Sequence, residues 1–289
     1  GCAWFIASAT IAGEIGQAQS QKDQAGGIAL QAETRLANEE APINFRNSGL
    51  DLRSSSAIVV DQKTGRTLFG KNTDARMPIA SITKLMTAMV VLDAGLNLDE
   101  KITVSQEDRD VIRKTGSRLQ PGASLSRREM LLLALMSSEN RAATALGRTY
   151  PGGLQHFVDQ MNRKAASLGM HKSHFADPAG LDADNVSTAS DLAKMVAAAD
   201  SYPLITQSTT TMRMDVHPYT NRGPLAYANT NRLLHSADWH IGLSKTGYIN
   251  EAGRCLVMQA NIEGEQVSIV LLNSFGKLTP FGDSNRLRK

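Results

Sequence analysis

Three short polar strings, far apart but fixed in order, most constrain how this chain can fold. They are Ser81-Ile82-Thr83-Lys84, Ser138-Glu139-Asn140 and Lys245-Thr246-Gly247. The first supplies a serine nucleophile and a lysine that can deprotonate it, and the other two supply groups that can hold a substrate carbonyl and its neighbours. A fold that uses this chemistry must bring three distant parts of the chain to one cleft.

The first string opens a pattern that predicts a helix over residues 81–94, ended by Gly95. Apolar residues recur at helical spacing and would form one buried face: Ile82, Leu85, Met86, Met89 and Val90. Because residues three apart share one side of a helix, Ser81 and Lys84 are expected to be neighbours in its first turn. The free N–H groups at the helix start would lie where an oxyanion forms, so we interpret Ser81 as a nucleophile rather than only a helix cap.

A second Ser-x-x-Lys spacing has to be rejected on its context. It is formed by Ser274 and Lys277 near the end of the chain. Gly276 and Pro280 lie within the stretch that would have to be helical, and both residue types oppose a helix there. The first copy is therefore the better candidate.

Lys-Thr-Gly also occurs at residues 63–65 and 114–116. The first copy lies between two short apolar runs and indicates a hairpin turn. The second follows a charged stretch and precedes the Ser138 string, so its place in the order is wrong. Lys245 precedes a strand candidate at residues 255–258 and can line the edge of a cleft. We therefore choose the copy that begins at Lys245.

Composition excludes several classes of partner. The chain has 289 residues, 42% of them hydrophobic, with 31 basic and 28 acidic side chains and a net charge of +3. Such a chain can bury a sizeable core, and it has no basic stripe of the kind that follows a phosphate backbone, so we expect no nucleic-acid partner. Cys2 and Cys255 stand at opposite ends of the sequence, and Cys255 lies in a predicted buried strand. This placement argues against a structural disulfide.

The first residues indicate export. Residues 1–12 are mostly apolar, and a Gln- and Ala-rich stretch follows up to about Ala41. We interpret residues 1–44 as the remnant of a secretory signal followed by a disordered linker, although a short strand is the alternative. A lipid anchor on Cys2 is disfavoured because apolar residues 3–6 follow it directly. No run approaches the length of about 20 apolar residues that spans a bilayer.

The remaining elements predict an α+β fold. Hairpins are expected at residues 57–70 and 255–272, a capping box at residues 126–129 before a buried helix, and further helices at residues 154–168 and 188–199. Strands from both ends would meet in one antiparallel sheet, and the helical middle would form a second lobe. The cleft between the lobes would then collect all three strings.

The three strings together resemble those of the penicillin-recognising serine hydrolases. Glu139 stands where that pattern has aspartate, which is a mild departure because this side chain need not face the cleft. Longer segments resemble the low-molecular-mass D-alanyl-D-alanine peptidases, in particular their endopeptidases, over roughly residues 45–289. These segments are residues 117–122, 133–143 and 173–181.

The resemblance implies a fold of the serine β-lactamase and DD-peptidase kind. Its core would be an antiparallel five-stranded sheet flanked by helices, within a catalytic domain at residues 45–289. A helical lobe would be inserted at about residues 97–200. The chain ends 42 residues after Gly247, so we expect neither a second β-rich domain nor a C-terminal anchor, and we expect a periplasmic location.

The resemblance also implies roles for individual residues. Ser81 would become acylated, with Lys84 as general base, held neutral partly by Lys245, while Ser138 would relay the proton to the leaving amine. Asn140 would hydrogen-bond the substrate amide. Lys245 and Thr246 would face the polar or anionic end of the substrate. Gly247 would let the backbone come close to the substrate. The N–H of Tyr248 would form an oxyanion hole together with the N–H of Ser81.

The implied reaction is hydrolysis of D-alanyl cross-links in peptidoglycan stem peptides, with β-lactam antibiotics as covalent inhibitors. No cofactor and no metal are implied. A D-Ala-D-Ala carboxypeptidase stays open, because it breaks a bond after D-alanine too and only the leaving group differs. A class A β-lactamase needs a glutamate that activates water, and none stands between Glu139 and Glu251. A catalytically silent scaffold would not need to keep these polar groups.

Two further patterns are set aside. Tyr227-Ala228-Asn229 imitates a motif of another β-lactamase class, but it stands only 18 residues before Lys245, and we interpret it as core and loop. His171, His174 and Asp177 have side chains that could bind zinc. Because Gly169 and Pro178 bracket them, we expect a loop with surface histidines rather than a metal site.

Overall fold

The largest element of the computed structural model is an antiparallel sheet of five strands. The model describes residues 49–289, so the expected signal remnant and linker at residues 1–44 lie outside it. The strands of this sheet are β1 (Ser54–Asp61), β2 (Thr67–Lys71), β9 (His240–Ile249), β10 (Gly253–Ile262) and β11 (Glu265–Ser274). Their order across the sheet is β2-β1-β11-β10-β9. The N-terminal hairpin thus pairs with the C-terminal strands, as predicted.

The centre of the sheet is apolar on both faces because helices cover both of them. Along β10 and β11, residues 255–260 and 267–272 are all buried, which explains their continuous rather than alternating hydrophobicity. The turn between these strands has positive φ at Glu263 and Gly264, the backbone that a tight two-residue hairpin needs. Strand β9 lies at the edge of the sheet, where one side of its backbone has no neighbouring strand.

Seven α-helices stand among residues 49–289. They are α1 (Thr83–Asp93), α2 (Arg127–Met136), α3 (Asn140–Arg148), α4 (Gly153–Ser167), α5 (Ala189–Asp200), α6 (Pro203–Thr210) and α7 (Thr279–Arg288). Helix α1 was predicted to have one buried face, but it is buried all round from Thr83 to Val91, because other elements pack against every side of it. Its α-helical part begins two residues after Ser81, because Ala80–Ile82 form a 3₁₀ turn that leads into it.

Three small two-stranded ladders join the helices of the middle region. They pair β3 (Met77–Pro78) with β6 (Val186–Ser187), β4 (Lys101–Thr103) with β5 (Ser124–Ser126), and β7 (Arg213–Val216) with β8 (Leu225–Ala228). The predicted capping box is confirmed at the start of α2. Glu129 N donates to Ser126 Oγ at 3.2 Å, and Ser126 N donates to Glu129 Oε2 at 2.7 Å.

The C-terminal helix α7 was not predicted, because Gly276 and Pro280 read as obstacles to a helix. Gly276 precedes the helix, and Pro280 lies in its first turn, where a missing N–H costs nothing. Its buried Asp283 accepts hydrogen bonds from Ser54 N at 2.7 Å and Ser54 Oγ at 2.6 Å. This carboxylate therefore fixes the start of β1 against the end of the chain. Ser274, the rejected nucleophile, is buried and hydrogen-bonded to Ser54 Oγ.

Candidate active site

Ser81 lies in the 3₁₀ turn that precedes helix α1. The residue before it, Ala80, has φ of +49°, a left-handed backbone that is unusual for a residue other than glycine. Lys84 follows one turn later, and its Nζ lies 2.8 Å from Ser81 Oγ. The predicted contact between these two side chains is therefore present.

Lys84 is completely buried and has three hydrogen-bond acceptors around its amine. Its Nζ donates to Ser81 Oγ, to Asn140 Oδ1 at 2.8 Å and to the Ala179 carbonyl at 2.6 Å. Burial lowers the pKa of Lys84 to about 7, against the opposing effect of the carboxylates of Asp177 and Glu139. Burial, rather than the charge of Lys245, thus makes a neutral amine available near neutral pH.

The second string lies between helices α2 and α3. Ser138 has φ of +62°, and Asn140 is the first residue of α3. The Glu139 side chain accepts a hydrogen bond from Arg141 N at 3.3 Å and so caps α3. A helix cap accepts aspartate or glutamate, which explains why the departure at this position is mild.

The third string lies on edge strand β9. Lys245 is 1% exposed, and its Nζ donates to Ser138 Oγ at 3.0 Å and to the Thr246 carbonyl at 2.9 Å. Burial, and after it the charge of Lys84, lowers the pKa of Lys245 well below its usual range. Thr246 Oγ1 lies 2.6 Å from Thr230 Oγ1. The sheet edge and the helical lobe thus meet at this lysine.

Gly247 stands where the sheet edge touches the nucleophile turn. A Cβ atom at this position would lie 3.0 Å from the Ile79 carbonyl oxygen and 3.1 Å from Ser81 N. Both contacts are backbone atoms that cannot easily move, so glycine allows this close approach. The next residue, Tyr248, is half exposed, and the Arg254 guanidinium lies 3.8 Å from the centre of its ring.

These residues border one cleft of about 410 Å³. The helical side contributes Ser81, Ser138 and Asn140, and the sheet side contributes Thr246, Gly247 and Tyr248. The lining also includes three cations, Arg232, Arg254 and Lys277, and none of the described residues that line the cleft is acidic. In the described part of the chain these three cations form no ion pair with a carboxylate. The lining of the cleft is therefore electropositive.

The other two Lys-Thr-Gly copies lie in different surroundings. Residues 63–65 form the turn between β1 and β2, held by Asp61, whose carboxylate accepts from Lys63 N at 2.8 Å and from Thr64 Oγ1 at 2.5 Å. This prediction is confirmed. The copy at residues 114–116 was set aside because of its place in the order, yet Asn140 Nδ2 donates to Thr115 Oγ1 at 3.1 Å. Thr115 is thus a site neighbour that the sequence argument missed.

A second missed group is the loop that supplies the Ala179 carbonyl. The Asp177 carboxylate accepts hydrogen bonds from the N–H groups of Ala179, Gly180 and Asp182, at 2.6, 2.7 and 2.7 Å. Gly180 has φ of +77°, and a side chain there would overlap the carbonyl oxygen of Ala80. The Asp-Pro-Ala-Gly sequence is the signal that could have indicated a tight, capped loop.

The possible zinc ligands and Tyr227, which were set aside on the sequence alone, take part in contacts that support the fold. His174 pairs through its backbone with Val186, while the Asp177 carboxylate is used by the N–H groups of its own loop. Within residues 49–289, no group of His, Cys, Asp and Glu side chains could hold a metal ion. Tyr227 is buried in β8 beneath the Arg118 guanidinium, 3.9 Å from its ring centre, so its interpretation as core is confirmed.

Comparison with known sequences finds D-alanyl-D-alanine peptidases. The family model described as D-alanyl-D-alanine carboxypeptidase matches residues 43–276. The D-alanyl-D-alanine endopeptidase of Pseudomonas aeruginosa is 50% identical over 243 residues, which are 83% of this chain and 77% of that protein. The Escherichia coli protein of the same name is 48% identical over 239 residues, covering 82% and 77% of the two chains.

Two solved structures share this fold, and one of them was solved with a β-lactam bound. The Streptomyces K15 DD-transpeptidase aligns with a TM-score of 0.75 and 29% identity, over 82% of this chain and 96% of that one. Penicillin-binding protein D2 of Listeria monocytogenes, solved in its cefotaxime-bound form, aligns with a TM-score of 0.72 and 31% identity over the same shares. From the ordered strings, the cleft and these relatives together, the chain belongs to the D-alanyl-D-alanine carboxypeptidase family of serine peptidases.

Proposed function

We propose that this hydrolase cleaves D-alanyl cross-links between peptidoglycan stem peptides through an acyl-enzyme on Ser81. The observation that carries the proposal is the buried Lys84 amine, 2.8 Å from Ser81 Oγ, with a pKa lowered to about 7. A hydroxyl becomes an effective nucleophile only when a base of suitable pKa is within hydrogen-bond reach. Lys84 meets both conditions.

The acylation step uses the hydrogen bonds around Lys84. A neutral amine has two N–H groups, which Asn140 Oδ1 and the Ala179 carbonyl can accept, and its lone pair then faces Ser81 Oγ. Lys84 takes the hydroxyl proton as Ser81 attacks the D-alanyl carbonyl. The backbone N–H groups of Ser81 and Tyr248 would stabilise the oxyanion, with about 3 kcal/mol for each donor in comparable sites.

Ser138 and Lys245 would complete the proton transfer. Ser138 Oγ lies 3.0 Å from Lys245 Nζ and borders the same cleft as Ser81. In the proposal, Ser138 passes the proton to the leaving amine, and the hydrogen bond that Lys245 Nζ donates to Ser138 Oγ helps to polarise the Ser138 hydroxyl. Water then hydrolyses the ester on Ser81 and regenerates the enzyme.

The electropositive lining of the cleft supports a substrate with free carboxylates. Stem peptides carry such groups, and Arg232, Arg254 and Lys277 line the cleft without an acidic neighbour in the lining. The endopeptidase preference is supported by the two relatives that are 50% and 48% identical and carry that name. Carboxypeptidase activity is the second candidate, supported by the description of the matching family model.

β-Lactams would acylate Ser81 and leave slowly. The Listeria relative in its cefotaxime-bound form supports the first half of this statement. The second half is supported by the sequence, which has no glutamate between Glu139 and Glu251 that could activate a deacylating water as in class A β-lactamases.

The substrate suggests where the protein works. Peptidoglycan lies outside the inner membrane, so we place the protein in the periplasm in this proposal, together with the expected export signal at residues 1–44. Separately, no helix within residues 49–289 has the length and hydrophobicity of a bilayer span.

The first experiment measures the intact mass of the protein after incubation with a penicillin. Wild type and Ser274→Ala, which alters the rejected Ser-x-x-Lys copy, should gain one antibiotic each and keep it for many minutes. Ser81→Ala should gain nothing. No adduct on the wild type would sink the acyl-enzyme proposal, and rapid antibiotic turnover without an adduct would revive the β-lactamase alternative.

The second experiment separates the two candidate peptidase activities. Purified cross-linked muropeptide dimers and uncross-linked pentapeptide monomers are digested in parallel and resolved by mass. Conversion of dimers to monomers is the expected outcome. Loss of only the terminal D-alanine from the pentapeptides, with intact dimers, would favour the carboxypeptidase.

A further inference from the structure

A short loop beside the cleft is held in one conformation by a single carboxylate. In this Asp110 loop, residues 109–116, the Asp110 side chain accepts hydrogen bonds from three backbone N–H groups. They belong to Ile112 at 3.0 Å, Arg113 at 2.8 Å and Thr115 at 2.9 Å. The loop is therefore ordered by its own sequence although Val111 and Ile112 at its tip are exposed.

Arg113 ties the same loop to two other parts of the molecule. Its Nε donates to the Leu181 carbonyl at 2.5 Å, next to the loop that carries Ala179. Its Nη2 lies 2.8 Å from Glu251 Oε2, in the turn between β9 and β10. Both sides of the cleft therefore constrain where the Asp110 loop lies.

The direction of the Thr115 hydroxyl follows from its partner. Burial of Asp110 opposes ionisation, but the N–H groups of Arg113 and Thr115 and the Thr115 hydroxyl outweigh it, so the pKa of Asp110 lies below its usual value. An ionised carboxylate can only accept a hydrogen bond. Thr115 Oγ1, at 2.7 Å from Asp110 Oδ2, must therefore donate its one proton to Asp110.

Because that proton is committed, Thr115 Oγ1 can only accept from its other neighbour, Asn140. The group that donates is the Asn140 amide nitrogen, Nδ2, at 3.1 Å. This fixes which way the carboxamide faces, and its oxygen, Oδ1, then accepts from Lys84 Nζ at 2.8 Å. The reversed carboxamide would present two donors to Lys84 and leave Thr115 without a donor.

We infer that Asp110 and Thr115 are positioning residues for the general base. Through Asn140 they set which direction the Lys84 lone pair takes toward Ser81. The inference rests on the proposed function, since it assigns a catalytic use to Lys84. It also gives a purpose to the second Lys-Thr-Gly copy: its threonine sets the carboxamide of the Ser138-Glu139-Asn140 string.

The decisive variants are Thr115→Val, which removes the hydroxyl at nearly constant volume, and Thr115→Ser, which restores it. Thr103→Val is the matched control, since Thr103 is an exposed threonine of β4 whose hydroxyl donates to Ser124 Oγ at 3.3 Å. For each protein, the rate constant of acylation by a penicillin is measured from pH 5 to pH 9, with thermal unfolding in parallel.

Thr115→Val should lower the plateau rate roughly tenfold, the effect of losing a hydrogen bond that orients a reacting group. Thr115→Ser should stay within about twofold of the wild type, as should Thr103→Val. The pH profile gives a second readout. When Asn140 Oδ1 faces Lys84, it favours the charged form of the amine. If the carboxamide turns away in Thr115→Val, the pKa of Lys84 should fall and the acidic limb of the profile should move to lower pH.

Other groups that act on Lys84 are unchanged in these variants. They are the carboxylates of Asp177 and Glu139, and Lys245 on β9. A displaced acidic limb in Thr115→Val alone can therefore be assigned to the carboxamide of Asn140.

Several results would overturn the inference. One is wild-type acylation in Thr115→Val, and another is an equally slow Thr115→Ser or Thr103→Val. A slow Thr115→Val with an unshifted acidic limb and a lower melting temperature would indicate a packing role instead, and would also refute it. Failure of the wild type to be acylated at all would overturn the proposed function itself, which is a distinct outcome.

Discussion

The two sides of the cleft differ in how many of their polar groups already have a hydrogen-bond or ion-pair partner within the protein. On the helical side, Lys84 is completely buried and hydrogen-bonded to Ser81, Asn140 and the Ala179 carbonyl. On the sheet side, Tyr248 is half exposed and Lys277 forms no ion pair within the described residues. The difference teaches that bond-making geometry is fixed before substrate arrives, whereas the groups suited to recognition remain free to pair with it.

The sequence explains this difference. Helix α1 is mainly apolar and is buried on every face from Thr83 to Val91, so it is enclosed by other elements and carries Lys84 into the interior with it. Strand β9 lies at the edge of the sheet, so its outer side faces the cleft instead of another strand. A buried base and an exposed recognition surface are thus consequences of where the two elements lie in the fold.

The largest expected effect on the rate of acylation comes from a substitution on the helical side of the cleft. Lys84→Met keeps the volume of the side chain and removes the base, so the rate constant of acylation by a penicillin should fall about 10²- to 10⁴-fold, the usual contribution of a positioned base. Lys101→Met, at an exposed lysine of β4, is the matched control and should leave the rate unchanged. A loss of less than about tenfold in Lys84→Met would mean that another group accepts the Ser81 proton.

The pH dependence gives the next largest effect. In the proposed mechanism acylation requires neutral Lys84, whose pKa is lowered to about 7 by burial. The rate should therefore level off above about pH 7 and fall by about tenfold for each pH unit below it. Stopped-flow acylation between pH 5 and pH 9 measures this limb. A midpoint near 10, the value of an exposed lysine, would contradict the role given to burial.

The smallest expected effect is on the sheet side. Arg254→Gln combined with Lys277→Gln removes two cations that line the cleft, so the KM for an anionic muropeptide should rise roughly three- to tenfold while kcat changes little. The same substrate with amidated carboxyl groups should bind both proteins alike. Lys63→Gln, in the turn between β1 and β2, controls for the loss of charge. An equal change in KM for both substrates would remove the electrostatic explanation.

Much of the site could be predicted from the sequence, because the order of the three polar strings limits how the chain can arrange them around one cleft. A serine and a lysine three apart on an apolar helix, followed by two polar strings, leave few alternative arrangements. Direct hydrogen bonds join Ser81, Lys84 and Asn140 in one group and Ser138 and Lys245 in another. Both groups contribute residues to the lining of the same cleft. The sheet formed by both ends of the chain was likewise predictable, since its strands are long and continuously apolar.

What the sequence did not reveal depends on contacts between distant segments. Thr115 stands 25 residues from Asn140, and only the folded loop brings their side chains together. The Ala179 carbonyl is a backbone group 95 residues from Lys84, and no residue type signals its use. Helix α7 was missed because Pro280 normally opposes a helix, and its tolerated place in the first turn was not considered.

The pairing of the chain's two ends also governs when this enzyme can become active. Ser54 Oγ is hydrogen-bonded to Ser274 Oγ, 220 residues later, and the sheet joins β1 directly to β11. Contacts between segments so far apart in sequence form slowly, because a long loop must close first. A chain in which β9 has not yet joined the sheet holds its serine but lacks the strand that carries Lys245. The topology thus delays the assembly of the complete cleft until β9, β10 and β11 have paired with β1.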